Sequence, residues 1–128
     1  MTVIGIMKSM AGPLQEPTFL ILAALAVEPL HGYGLIQHVH LLSGGRVRLR
    51  TGTLYAALDR LAVEGLVVDD REEIVGGRLR RYYRLTDDGA ALLDAEAERL
   101  HRNVEAARSR LRERAARRAV PGLTATSP

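Results

Sequence analysis

Between residues 90 and 111 apolar side chains return at Ala90, Leu93, Ala97, Leu100, Val104, Ala107 and Leu111, with spacings of 3, 4, 3, 4, 3 and 4. That rhythm is the seam of a coiled coil, in which two such positions in every seven meet a facing helix. The segment opens on Thr86, whose hydroxyl suits a helix cap. Asp87 and Asp88 follow in the first turn, where the helix dipole favours anions. It continues without a breaker to about Arg118, which makes a helix of about 30 residues and roughly 45 Å. A chain of 128 residues with 47% hydrophobic content holds one modest core, too small to cover a helix of that length. The spare apolar length is therefore expected to meet a second copy of the chain through Leu93, Ala97, Leu100, Val104, Ala107 and Leu111, with residues of the first helix completing the interface. The plainer alternative is an amphipathic helix folded back on its own domain.

Upstream the pattern is shorter-ranged. Residues 1–15 show no period and contain Gly12 and Pro13, so they read as a loose arm. From Pro17 to Glu28 an apolar segment reads as a first helix stopped by Pro29, with Phe19, Leu22, Leu25 and Ala26 on its most buried side. "HGYG" (31–34) is a turn signal. Leu35, Ile36, Val39 and Leu42 then keep helical spacing until Gly44 and Gly45. "RVRLR" (46–50) alternates as a small strand or extended connector, with its three arginines on one side. Thr51 offers a hydroxyl cap to a third helix that faces the core through Leu54, Leu58 and Leu61 and ends at Gly65. "LVVDD" and "RLRRYYRL" read as two strands joined by a loop holding Gly76 and Gly77. The tail from Val120 carries Pro121, Gly122 and Pro128 and reads as disordered.

Several function classes drop out. The longest unbroken apolar run, Phe19 to Val27, is too short to span a bilayer. Lys8 followed by that run and by Ala24-Leu25-Ala26 imitates a signal peptide only faintly, since Glu16 and Pro17 suit the start of a folded helix. A cytoplasmic protein is expected. There is no cysteine, hence no disulfide or thiolate metal site. His38 and His40 lie two apart and do not share a helix face, and His31 and His101 stand alone, so no metal and no cofactor is expected. No serine lies in a nucleophile motif, and no glycine-rich phosphate loop precedes a helix, so an enzyme is not expected. The net charge of +3 and pI near 9.8 lean mildly towards an anionic partner.

Helix, helix, helix, hairpin, long helix is the plan of a mainly α (α+β) winged helix-turn-helix with a long C-terminal dimerisation helix. In such a fold the third helix enters the major groove and the hairpin touches flanking backbone. The expected divisions are an arm at 1–15, the DNA-binding domain at 16–86, the dimerisation helix at 87–118 and the tail at 119–128. "GGRLRRYYRLT" (76–86) fits the plan, because phosphates can neutralise the arginines of a strand that lies beside a duplex.

"HGYGLIQHV", "LSGGRVRLRTGTLYAALDRLAVEGLV" and "RRYYRLTDDG" together resemble the PadR family of bacterial transcriptional regulators over roughly residues 17–90. The family's commonest pattern has Ser-Pro before Gly-Thr-Leu-Tyr and a proline after that tyrosine, where this chain has Arg50, Thr51 and Ala56. The resemblance implies a dimer on operator DNA, with the C-terminal helix making much of the interface. It also implies a small-molecule effector of unknown identity. Relatives respond to phenolic acids, antibiotics or other compounds, some in an apolar space at the dimer interface that uses tryptophan. This chain has no Trp and only Phe19 as phenylalanine, which argues against a ligand stacked on aromatics.

The candidate DNA contacts follow from these placements. Thr51, Thr53 and Tyr55 lie in the first turn or so of the third helix, where base edges and phosphates are reached, although Thr51 could serve only as a cap and Tyr55 could pack beside Leu58. On the second strand, alternation sets Arg78, Arg80, Tyr82 and Arg84 against Leu79, Arg81, Tyr83 and Leu85. With Leu79 and Leu85 marking the core side, Tyr83 is packed and Arg80 free. Arg78, Arg80 and Arg81 are the wing contacts and Arg84 a solvated residue. Arg48 and Arg50, favoured over Arg46, are expected to form a phosphate track into the third helix, the alternative being the charged face of an edge segment. Gly32 and Gly34 are expected to serve a close approach between helices, and Tyr33 either reaches a phosphate at the start of the second helix or packs. The reading is a homodimeric repressor of double-stranded operator DNA. The alternatives are a winged-helix module that binds protein and an RNA-binding domain.

Overall fold

The computed structural model describes residues 13–119. The expected loose arm and disordered tail fall mostly on residues 1–12 and 120–128, outside that range. The elements run α1 (Glu16–Ala24), β1 (Leu30–His31), α2 (Gly32–Leu42), α3 (Thr51–Val63), β2 (Val67–Val75), β3 (Arg78–Leu85) and α4 (Asp87–Ala119).

Helix α1 is shorter than its apolar run. It stops at Ala24 rather than Glu28, and it buries Ile21, Leu22 and Ala24, with Leu25 buried just past its end, while Phe19 is only half-buried and Ala26 is exposed. A segment apolar on every side has no polar face to reveal its phase, so periodicity misplaced the buried stripe by part of a turn. Pro29 also disfavours helical backbone at Glu28, and the chain extends there into β1. "HGYG" is not a turn. Gly32, Tyr33 and Gly34 are the first residues of α2, capped by the His31 ring, whose Nδ1 accepts the Gly34 N–H at 3.3 Å.

After α2, Gly44 and Gly45 take φ of 65° and 85°, a left-handed exit open to glycine at little cost. Residues 46–50 form no strand. They are an extended connector with Val47 and Leu49 turned inward and Arg46, Arg48 and Arg50 exposed. The Ser43 hydroxyl steadies its start, donating to the His40 carbonyl at 3.0 Å and accepting the Val47 N–H at 2.8 Å. Thr51 is not the cap of α3. Arg50 holds that position without a side-chain bond, and Thr51 is the first helical residue. Leu54, Leu58 and Leu61 are buried as expected, joined by Ala57, and the chain leaves through Gly65 at φ 77°.

Strand β2 outruns "LVVDD" and extends through the charged "DREEIV" to Val75. Its pairing with β3 explains how so polar a run stays extended, because Glu72 faces Arg81 and Glu73 faces Arg80 across the ladder. Gly76 and Gly77 turn the hairpin in two residues with φ of 59° and 78°, the positive pair that a type I′ turn needs. Between Asp69 and Arg71 the register shifts, leaving Asp70 as a bulge. β1 adds a third strand that sequence did not reveal, pairing Leu30 with Tyr83 and His31 with Tyr82, so β3 is central.

The core gathers Ile21, Leu22, Leu35, Val39, Leu54, Leu58, Leu66 and Val67, all but fully buried. Each is worth roughly 1.5–3 kcal/mol relative to exposure. Thr86 caps α4 as expected: its hydroxyl accepts the Gly89 N–H at 3.0 Å and donates to the Gly65 carbonyl at 2.7 Å. A Cβ on Gly89 would lie 2.2 Å from the Leu66 carbonyl oxygen, so only glycine allows this close approach. The chain divides into two compact units, with the boundary between Asp94 and Ala95. The first holds the three short helices, the sheet and the start of α4, and the second is the remainder of α4. Among the described residues, no helix is long and apolar enough to cross a membrane.

Candidate nucleic-acid interface

In the first unit, five of the nine expected DNA contacts line one cleft. Tyr33 stands at the start of α2 and Tyr55 on α3, while Arg78, Arg80 and Arg81 come from β3. Thr53 lies instead in a neighbouring groove between α1 and α3, alongside Arg60. Thr51, Arg48 and Arg50 are exposed but line neither.

Three elements lock together beneath the first cleft. The Tyr55 side chain reaches across to α2, where a Cβ on Gly32 would lie 2.4 Å from its hydroxyl oxygen. Gly32 therefore permits the helix-to-helix approach expected of it. Gly34 does not, since its nearest neighbours are atoms of the His31 ring at ordinary contact distance. Tyr55 also meets Tyr83 edge-on, with centroids 6.4 Å apart, yet 40% of it stays exposed. It packs against Gly32 and Tyr83 and still offers an edge to solvent. Tyr83 is buried as expected, and that burial pushes its hydroxyl above the ordinary tyrosine range.

The arginines sort by whether the chain already neutralises them. Arg81 is held by Glu72 at 3.3 Å and Arg84 by Asp70 at 3.5 Å. Arg71 bridges Asp70 and Glu73 at 3.0 Å each and lies 4.0 Å over the Tyr82 ring. Arg46 grips Glu16 through both of its terminal nitrogens, which takes it out of the phosphate track and holds the Glu16 carboxyl below its usual range. Among the described residues no carboxylate pairs with Arg48, Arg50, Arg78 or Arg80. Within the first unit these four occupy the wing tip and the approach to α3, and Arg60, on α3 itself, has no carboxylate partner either among the described residues. Arg80 is not free in the sense expected, being half-buried.

Leu79 is corrected more sharply. It is 62% exposed, and its cross-strand partner Ile74 is 77% exposed. Alternation puts Leu79 on the same side of the strand as Tyr83, but burial along that side ends near Tyr83, with Arg81 and Leu79 both exposed. Sequence reasoning also missed His31. Its ring meets Tyr82 edge-on at 5.3 Å, and burial followed by the Arg80 charge pushes its pKa down, with Glu73 opposing. No spacing rule marks a histidine cap, although its place before a helix-starting glycine was a usable signal. Glu72 as the partner of Arg81 could have been read from hairpin register, whereas Asp70 reaches Arg84 from a bulge that register does not reveal.

The expected dimer residues divide. Leu93 is half-buried against the core of its own unit, whereas Ala97, Leu100, Val104, Ala107 and Leu111 are exposed. Among the described residues no cluster of three or more potential metal ligands occurs.

Three short helices, with α3 presenting Thr53, Tyr55, Asp59 and Arg60 outward beside a hairpin, make this a winged helix-turn-helix, a DNA-binding class of fold. A model of the transcriptional regulator PadR-like family matches residues 21–95, and the chain belongs to that family. Its members are DNA-binding regulators and not enzymes. A transcriptional regulator of Mycobacterium tuberculosis is 40% identical over 80 residues, covering 62% of this chain and 71% of the relative. The crystal structure of a PadR family regulator from Clostridium difficile matches with a TM-score of 0.64 over 76% of this chain and 99% of that one, at 22% identity, a likeness of fold. Bacillus subtilis PadR, solved in complex with operator DNA, matches with a TM-score of 0.56 and 26% identity over 63% of this chain. The match spans 47% of that relative's chain.

Proposed function

We propose that the chain is a cytoplasmic homodimeric repressor that binds a palindromic operator and is released by a small-molecule effector. The single observation that carries the DNA-contact part is the segregation of arginines within the first unit: among its described residues those left without carboxylates are Arg48, Arg50, Arg78 and Arg80, which flank the exposed face of α3, and Arg60, which lies on that face. A protein-binding wing would have no need to leave its cations unpaired at both of those elements. In this reading Thr51, Thr53 and Tyr55 meet base edges and phosphates from the first turns of α3. Tyr33, Arg48, Arg50, Arg78, Arg80 and Arg81 meet phosphate. Ala97, Leu100, Val104, Ala107 and Leu111, with Leu93 at their edge, join two copies over the 87–118 helix. The release step rests on the family resemblance alone. A two-fold dimer sets half-sites about one helical turn, roughly 10 base pairs, apart.

Footprinting on the DNA upstream of the chain's own gene tests the reading. The expected result is protection of an inverted repeat with that spacing, weakened by Tyr55→Ala by on the order of 1 to 3 kcal/mol with the dimer intact. A single unsymmetrical patch, or full protection by Tyr55→Ala, would overturn it.

A further inference from the structure

The last turns of α4 carry a charge that the winged-helix unit does not explain. Between residues 102 and 118 there are seven arginines and two acids, Glu105 and Glu113, and every residue from 101 to 119 is exposed. Glu113 is shared by Arg110 at 3.6 Å and Arg117 at 3.7 Å. Arg102, Arg108, Arg112, Arg114 and Arg118 have no ion pair among the described residues. The plain explanation, cations gathered at a helix C-terminus to suit its dipole, reaches only the last turn. It covers Arg117 and Arg118; Arg110 has Glu113, and Arg102, Arg108, Arg112 and Arg114 are left without a cause.

The seam itself points the same way. Its 3-4 spacing reaches Leu111 and then falls on Arg114 and Arg118. Two copies joined through that seam, as in the proposed dimer on which this inference partly rests, would have no apolar contact to make beyond Leu111. Apart from Arg117, which shares Glu113, the arginines there have no carboxylate among the described residues and are open to an anion from outside the chain. We propose that residues 102–118 form a second polyanion surface that binds the phosphate backbone of duplex DNA independently of sequence.

Duplex DNA fits better than a lipid surface or an acidic protein. Seventeen helical residues span roughly 24 Å, and DNA presents a charge about every 1.7 Å of its axis, so several phosphates lie within reach of one helix end. Guanidinium forks match phosphate geometry. A helix that lies on a membrane needs large apolar residues opposite its cations, and after Leu111 the only apolar residues up to 119 are alanines.

The test uses the full chain and the quadruple variant Arg108→Gln, Arg112→Gln, Arg114→Gln and Arg118→Gln, none of which holds an ion pair among the described residues. Binding to a random-sequence duplex of about 60 base pairs is measured across salt concentrations, with Arg78→Gln/Arg80→Gln as the wing control. The expected result is binding weakened about tenfold and a salt slope smaller by roughly two to four, while light scattering and helix content match the wild type. If the wing control weakens binding and the quadruple variant does not, this inference fails and the proposed function stands. If the wild type binds no duplex, both fail. A quadruple variant that falls apart into monomers, or that loses binding only to phosphatidylserine vesicles or polyglutamate, assigns the arginines to another partner and overturns the inference.

Discussion

The wing and the far half of α4 are both rich in arginine and handle the charge in opposite ways. On the wing, β2 supplies Glu72 in register with Arg81 and Asp70 from its bulge to Arg84, so both arginines are answered across the hairpin and the tip is left open. On α4 one glutamate serves two arginines and the others face solvent, as do the seam leucines. Apolar residues differ likewise: those of the first unit close a core, while Leu100, Val104 and Leu111 remain 38%, 46% and 61% exposed. A region that satisfies its own groups folds by itself. One that satisfies few of them is a surface for something else.

The strongest way to break this contrast is to disturb the self-sufficient unit. Gly89→Ala would drive a methyl group into the Leu66 carbonyl and the Leu85 side chain, where backbone cannot yield cheaply. A loss of about 3 kcal/mol is expected, at the upper end for overpacking, and thermal unfolding would read it. An unchanged melting temperature would mean that α4 starts elsewhere. Next comes Leu100→Glu with Val104→Glu. Both residues lie in the second unit and are 38% and 46% exposed, so the melting of the first unit should hold while the proposed dimer falls to monomers. Operator affinity should then drop on the order of 100-fold as the two half-sites uncouple. A variant that stays dimeric by light scattering would place the seam elsewhere.

A finer test separates arginines by their partners. Arg80→Ala should reduce the salt slope of DNA binding by about one, since an unpaired wing arginine releases a counterion from phosphate. Arg81→Ala should reduce it less, because Arg81 must first leave Glu72. Glu72→Gln should tighten binding a few-fold by freeing it. Equal slopes for the two arginine variants would show that the cross-strand pair does not persist on DNA.

These cases also show what could be read from residues alone. Element order, the inward leucines of α3, the Thr86 cap and the buried Tyr83 all rest on strong local patterns, and the structure agrees with each. β1 was invisible because two residues carry no period, and α1 was misphased because it is apolar all round. Leu79 failed for a different reason: alternation identifies a face of a strand, but only the neighbouring elements decide how far along that face burial extends. The proposed DNA contacts, Thr53 and Arg78 among them, were placed by fold plan and family pattern. A surface residue with no partner within its own chain leaves little local trace in the sequence.

The smallest expected effect lies where the wing meets α2. His31 caps that helix through an unprotonated Nδ1, with Tyr82 and Arg80 of β3 and Glu73 of β2 around it. Burial, and then Arg80, set its folded-state pKa below the ordinary 6.5. Between the two values the unfolded chain holds a proton that the folded chain lacks, so stability rises with pH through that window, is complete above it and is lost as pH falls. Glu16 and Glu73, whose pKa values are lowered chiefly by hydrogen bonds from Arg46 and Arg71, add a second loss only below their ordinary 4.5. His31→Asn keeps an acceptor for the Gly34 N–H and removes the titration. The wild type should melt slightly lower at about pH 5 than at about pH 7, and His31→Asn should show less of that slope. If both proteins lose the same stability across that interval, the histidine cap does not couple the wing to α2 through its proton, and Tyr55 and Tyr83 would be left as the joint between them.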